Sequence, residues 1–285
     1  MFIVVKNTIK ILRFHNLVLG AIAVFVSGYL LSKPFDLLII NCAIVVMITM
    51  GIGNVVNDLF DIKSDKINHP DRPLVNNSLS YQNVYFIIAC LFFFLIYFLF
   101  QLNHFAIFFL VLFVLPVTFL YNYFFKHLPF FGNVITSLLL SSIFIFTEIV
   151  MSNSYNRMLI PFFLCFIFTL LREMIKDMED YDGDLYNNSY TAPVFFGKRK
   201  MNLYIIIYTI ISMIAYLIIC WLAKLSTLFI ILLIIIIEIP LLYSVFLLIK
   251  FPQKKTYKYL SSFLKYLCLG GLLLIMLTKK SFIYV

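Results

Sequence analysis

Nine apolar runs follow one another with little between them, at residues 11–31, 37–57, 84–100, 104–124, 132–151, 158–176, 203–222, 226–249 and 260–277. A helix needs about 20 mostly apolar residues to cross about 30 Å of hydrocarbon. In lipid, moreover, backbone polar groups are satisfied only by helices or closed barrels. With 63% hydrophobic and 12% charged residues, and a mean hydropathy of +1.03, the chain carries more apolar surface than a soluble fold could cover. The connections are too short for a separate soluble domain. The expected fold is therefore one all-α membrane domain over residues 1–285, with nine spans.

The first run carries Arg13, His15 and Asn16 near its start and lacks a small-residue cleavage site, so it reads as a retained helix. The five cysteines, Cys42, Cys90, Cys165, Cys220 and Cys268, lie singly in apolar runs without CxxC spacing and read as packing residues. Net charge is +9, but 17 of the 22 Lys and Arg fall in the N-terminal tail, in alternate loops or in the chain beside them. Lys33, Arg157, Lys224, Lys279 and Lys280 belong to the other side. That asymmetry points to membrane lipids, not nucleic acid, as the partner of the positive charge. It predicts a cytoplasmic N-terminus, an external C-terminus and a site facing the cytoplasm, in a bacterial inner (plasma) membrane.

Ten of the 13 acidic residues lie within 58–71 or 173–184. Asn54, Asn57, Asp58, Asp61 and Asp65 stand at i, i+3, i+4, i+7 and i+11, which lines one stripe of a helix. Glu173, Lys176, Asp177, Asp180 and Asp184 repeat the same offsets 119 residues later. Carboxylates at the bilayer centre would cost about 2.5–3.5 kcal/mol each. Both stripes are therefore expected at helix ends, facing each other across a wet or metal-loaded cavity. Massed carboxylates repel without compensation, and Mg²⁺ is the natural partner because it prefers oxygen ligands and bridges carboxylates to phosphates.

Pro70 and Pro73 force the segment Asn68-His69-Pro70-Asp71-Arg72-Pro73-Leu74 out of regular helix. Its Arg72 has the fork geometry suited to phosphate oxygens, the alternative being a headgroup-facing loop arginine. Lys126 reads either as a phosphate ligand or as an orientation signal. Gly183 offers a place for the chain to turn, Glu148 reads as interfacial, and Glu238 needs a partner within the bundle. Asp-bound Mg²⁺ with cations beside apolar walls suits a substrate with a diphosphate head and a hydrocarbon tail, such as a prenyl diphosphate.

Residues Asn57 to Asp65, reading NDLFDIKSD, resemble the NDxxDxxxD motif of the UbiA superfamily of intramembrane prenyltransferases. Asp180 to Asp184 is similar to its second motif, DxxxD, and NHPDRPL at 68–74 resembles the family's NxPxRP loop. The resemblance implies nine helices around a central cavity and Mg²⁺-dependent transfer of a prenyl group from its diphosphate to a lipid or aromatic acceptor. Asp61, Asp65, Asp180 and Asp184 would be catalytic, joined in holding metal by Asn57, Asp58 and Asp177. Arg72, Lys126, Arg13, Asn16 and Lys176 would contact the diphosphate.

Arg172 to Asp184 looks most like the form found in members that prenylate a prenylglyceryl phosphate, although Asn188 stands where a glycine is common. Aromatic acceptors, 4-hydroxybenzoate or dihydroxynaphthoate, are the alternative. An ion-coupled transporter would place its ionisable groups near the midplane in broken helices, and these stripes do not fit that pattern.

Overall fold

The structure, a computed structural model, describes residues 2–277; Lys279 and Lys280 of the charge reading lie outside them. The described residues are all helix and loop, with no strand. The helices are α1 (Phe2–Ile11), α2 (Phe14–Leu30), α3 (Leu37–Phe60), α4 (Ile62–Asn68), α5 (Tyr81–Leu99), α6 (His104–Phe109), α7 (Leu115–Tyr123) and α8 (Phe131–Ser152). There follow α9 (Leu159–Tyr186), α10 (Ala192–Phe196), α11 (Lys198–Leu222), α12 (Thr227–Leu233), α13 (Ile239–Lys250) and α14 (Lys254–Leu277).

Each apolar run coincides with a helix or an end-to-end pair. Among the described residues, however, seven helices are long and apolar enough to cross a membrane, or eight if Val5–Ile11 and Phe14–Leu30, bent by 59°, count as one span. The remaining long helix, α9, misses because every 18-residue window of it includes Arg172, Glu173 and Lys176. Those charges belong to the second polar stripe. The chain is an integral membrane protein whose most polar long helix is also the one at its centre.

α9 packs against α4, α8, α10, α11 and α14, while α2 packs against α3, α8 and α14. Burial grades outward from this centre. α3 and α8 are 61% buried over their apolar windows, against 17% for α5 and 11% for the α6–α7 span, whose outward Phe86, Phe93 and Phe108 suit lipid tails. Small residues set the closest approach: Gly28 lies under Ile39 and Gly20 under Met50, where added methyl groups would collide.

Two spans contain a widened π turn, Leu110–Val114 between α6 and α7 and Ile234–Glu238 between α12 and α13. Each is followed within two residues by a proline, Pro116 or Pro240. A proline cannot donate to the carbonyl four residues back and its ring crowds that carbonyl, so a locally wider turn relieves the clash without ending the helix.

Candidate active site

The first polar stripe is not one unbroken helix. α3 stops at Phe60, α4 begins at Ile62, and Asp61 is the junction, with φ −92° and ψ 3°. The expected single stripe is corrected to two short faces meeting at Asp61, with Asn57 and Asp58 on one and Asp65 on the other. The second stripe does lie on one helix, since α9 runs on to Tyr186.

The two stripes are brought together by a contact that neither announces. The Asn68 side chain donates to the Asp180 carbonyl at 2.6 Å and accepts from the Gly183 N–H at 3.1 Å. Gly183 is therefore no turn but an interior residue of α9, bare so that α4 can dock. A β-carbon there would lie 2.5 Å from the Ser64 carbonyl oxygen. Residues 69–79 fold over the helix end, where Leu74 and Leu79 are buried with Ile11, Val55 and Val84, and this turns Arg72 inward.

A polar pocket of about 40 Å³ opens between the two halves. Its walls carry six carboxylates, Asp61, Asp65, Glu173, Asp177, Asp180 and Asp184, against three cations, Arg72, Lys126 and Lys176. Lys126 pairs with Asp61 and reaches Asn57 Oδ1 at 3.1 Å, while Asn57 Nδ2 donates to Asp61 at 2.7 Å. Arg72 pairs with Asp65 and reaches Asp58 Oδ1 at 3.2 Å. On the opposite wall, Asn133 donates to Asp177 at 2.8 Å, His69 Nε2 lies 3.0 Å from Asp180, and the Thr191 hydroxyl donates to Asp184 at 3.2 Å.

Burial drives the Asp61 carboxyl upward, but the Lys126 charge and hydrogen bond, with Arg72 behind them, outweigh it and hold Asp61 below the ordinary carboxylate value. Asp65 goes the other way, to about 6, because burial and the charges of Asp61 and Asp58 exceed the help from Arg72. Negative charge is therefore in surplus here.

Among the described residues, no three His, Cys, Asp or Glu side chains converge closely enough to hold a metal by themselves. The donor set does not make an all-protein cage. It fits a hard cation that keeps water and takes further oxygens from a phosphate, which is how Mg²⁺ binds. Asp61 and Asp65 offer oxygens from one wall, and Asp177, Asp180 and Asp184 from the other.

Some expected site residues lie elsewhere. Asp58 is off this pocket, 3% exposed, and receives Arg13 Nη2 at 2.6 Å as well as Arg72. Arg13 sits at the break between α1 and α2 with φ 52°, a left-handed conformation, and with Asn16 it lines a second, apolar cavity of about 290 Å³. This cavity runs along Leu19, Val46, Leu139 and Ile143 to Leu272, and it shares Asn57, Tyr121, Thr136, Glu173 and Lys176 with the polar pocket. Lys176 thus serves both compartments, 3.7 Å from Glu173.

Sequence reasoning missed the roles of Asn68, His69, Asn133 and Thr191 as partners of the acids, because single polar residues at helix ends carry no periodic signal. Glu148, expected at the interface, is enclosed by the protein itself. It is fully buried and accepts from Ser154 and from the N–H groups of Asn156, Arg157 and Met158 at 2.7–3.1 Å, fastening the turn between α8 and α9. Glu238 ends a π turn with its Oε1 buried and unpartnered among the described residues. Asn188 adopts φ 53°, the conformation glycine favours and asparagine tolerates, so the departure from glycine leaves the loop intact.

Digeranylgeranylglyceryl phosphate synthases are similar over most of the chain. The one from Methanosphaera stadtmanae is 28% identical over 263 residues, 90% of this chain and 93% of its own length. The one from Methanobrevibacter smithii is 32% identical over 67% of this chain and 69% of its own. A solved digeranylgeranylglyceryl phosphate synthase structure superposes with a TM-score of 0.72 at 26% identity, covering 97% of this chain and 98% of the other. A UbiA homolog from Archaeoglobus fulgidus bound to DMAPP and Mg²⁺ shares the fold, with a TM-score of 0.64 at 14% identity over 98% of this chain and 99% of its own. The model of the UbiA prenyltransferase family matches residues 17–269, and the chain belongs to that family.

Proposed function

We propose that the protein transfers a prenyl group from a prenyl diphosphate to the hydroxyl of a prenylglyceryl phosphate, with Mg²⁺ held in the polar pocket. The observation that carries this reading is the juxtaposition of an acid-rich pocket and an apolar cavity across a common wall. A diphosphate fits the first and its hydrocarbon tail the second. The extended similarity to digeranylgeranylglyceryl phosphate synthases supports the acceptor, and the DMAPP and Mg²⁺ bound by the Archaeoglobus homolog support the donor and the metal.

Asp61, Asp65, Asp180 and Asp184 hold the metal, with Asn57 and Asp177 beside them. Arg72, Lys126 and Lys176 contact the diphosphate. Asp58 aligns Arg13 and Arg72 from behind and is not itself a ligand. Bound Mg²⁺ supplies positive charge against which the diphosphate can leave. The cations fix that leaving group, and the apolar walls exclude water from the electron-poor allylic carbon. The acceptor oxygen bonds to that carbon as its bond to the diphosphate oxygen breaks. The electron pair leaves with the diphosphate, and the hydroxyl proton is released.

Counting the bent α1–α2 pair and α9 as spans makes nine. The excess of Lys and Arg then places the N-terminus and the site on the cytoplasmic face of the plasma membrane and the C-terminus outside. The test of function offers labelled prenyl diphosphate with a prenylglyceryl phosphate, 4-hydroxybenzoate or dihydroxynaphthoate. Label is expected in the glyceryl phosphate product. Label only in an aromatic product overturns the assignment.

A further inference from the structure

We infer that Lys265, with Arg13 and Arg172, forms a second anion site at the polar end of the apolar cavity and that it binds the phosphate of the acceptor. This rests on the acceptor reading above and adds a headgroup site distinct from the diphosphate pocket. Lys265 lies in the middle of α14, inside a helix apolar enough to span the membrane. An ammonium there is costly, so it is expected to face a cavity and meet an opposite charge. α14 packs on both α2 and α9, and the side chain of Lys265 lines the apolar cavity together with Arg13, Arg172 and Lys176. Lys265 lies within electrostatic reach of Arg13, and Arg172 within reach of Cys268, one turn further along α14.

The neighbouring cations already have carboxylates. Arg13 meets Asp58 at 2.6 Å, while Arg172 and Lys176 share Glu173 at 2.5 and 3.7 Å. The Lys265 side chain has no hydrogen bond or ion pair among the described residues. The cavity wall as a whole carries four cations and one carboxylate, Glu173, the reverse of the acid surplus next door. A cavity that is apolar along its length and cationic at one end matches a phosphate monoester on a hydrocarbon tail. The diphosphate needs the metal, and the metal needs the carboxylates, so the donor head belongs in the other compartment. An acceptor phosphate at Lys265 leaves its glyceryl hydroxyl beside the shared wall of Glu173 and Lys176.

The test compares wild type, Lys265→Met and Lys265→Arg as full-length protein in lipid nanodiscs, using geranylgeranylglyceryl phosphate and its phosphate-free glycerol analogue as acceptors. Loss of one charge-assisted contact in a partly dry site corresponds to about tenfold or more in affinity. Lys265→Met is expected to raise KM for the phosphate acceptor by that factor. KM for the donor and kcat/KM for the phosphate-free acceptor are expected to stay within about twofold, and Lys265→Arg to recover most of the loss. An equal loss with both acceptors, or a raised donor KM, overturns the inference while leaving the proposed function intact. Turnover by wild type of aromatic acceptors alone overturns the function, and this inference with it.

Discussion

The two compartments share a wall yet have opposite chemistry. The polar pocket is small and acidic, and is built where helices end: at the α3–α4 junction, in the loop carrying Arg72, and near the end of α9. The apolar cavity is about seven times larger and is built largely from the spanning stretches of α2, α3, α7, α8, α9 and α14. Ionised groups are tolerated at helix ends, where water and counter-charges reach them, and are expensive in hydrocarbon. The bilayer therefore separates the site into a place for charge and a place for chains. The reaction belongs at the boundary, which Asn57, Tyr121, Thr136, Glu173 and Lys176 line from both sides.

Three perturbations probe that division, in order of expected size. Removing charge chemistry from the pocket should cost most. EDTA, or Asp61→Ala, which also strands Lys126, is expected to cut diphosphate release by about a hundredfold or more. Excess Mg²⁺ should reverse the EDTA effect and leave the mutant slow. Turnover unchanged by either treatment would show that the pocket is not where the diphosphate leaves.

The next effect comes from moving the pocket's two halves apart without touching an acid. Gly183→Ala puts a methyl group against the Ser64 carbonyl and the Asn68 amide, and a small displacement of paired catalytic groups is costly. A loss of about tenfold in kcat is expected, with a melting point lowered in step with about 1–3 kcal/mol of overpacking. Wild-type kcat in this variant would refute the idea that the α4–α9 contact aligns the acids. The smallest and most selective effect should come from the cavity. Leu139→Trp narrows the chain path, and is expected to raise KM for a twenty-carbon donor by about tenfold while a five-carbon donor and the Mg²⁺ dependence stay near wild type. Equal losses with both donors would mean that the cavity does not hold the tail.

Much of this arrangement is legible along the chain. Repeated apolar runs of spanning length leave few alternatives to a helical membrane domain. Two acid stripes with the same offsets identify the halves of a site because helical geometry ties those offsets to one face. Legibility fails where a residue's role depends on a partner far away in sequence. Gly183 looks like a turn, but α9 continues through it, because the absent β-carbon is used by α4, more than 110 residues away. Asp61 looks like the middle of a helical stripe, but the helix breaks there. Glu148 looks like an acid free to meet water at a span's end, but its carboxylate is occupied by Ser154 and the backbone of the next turn.

By itself, then, the sequence determines the solvent the protein lives in, the helices that solvent demands, and the acids that cannot face lipid, because each follows from local composition and a fixed helical period. Only the tertiary structure decides which carboxylates meet which cations, that Asp58 supports arginines from outside the pocket, and that the Lys265 side chain has no partner among the described residues. Those outcomes depend on which helices pack together and how closely, and the α2, α4 and α14 contacts with their neighbours are settled by shape complementarity that no periodic pattern along the chain records.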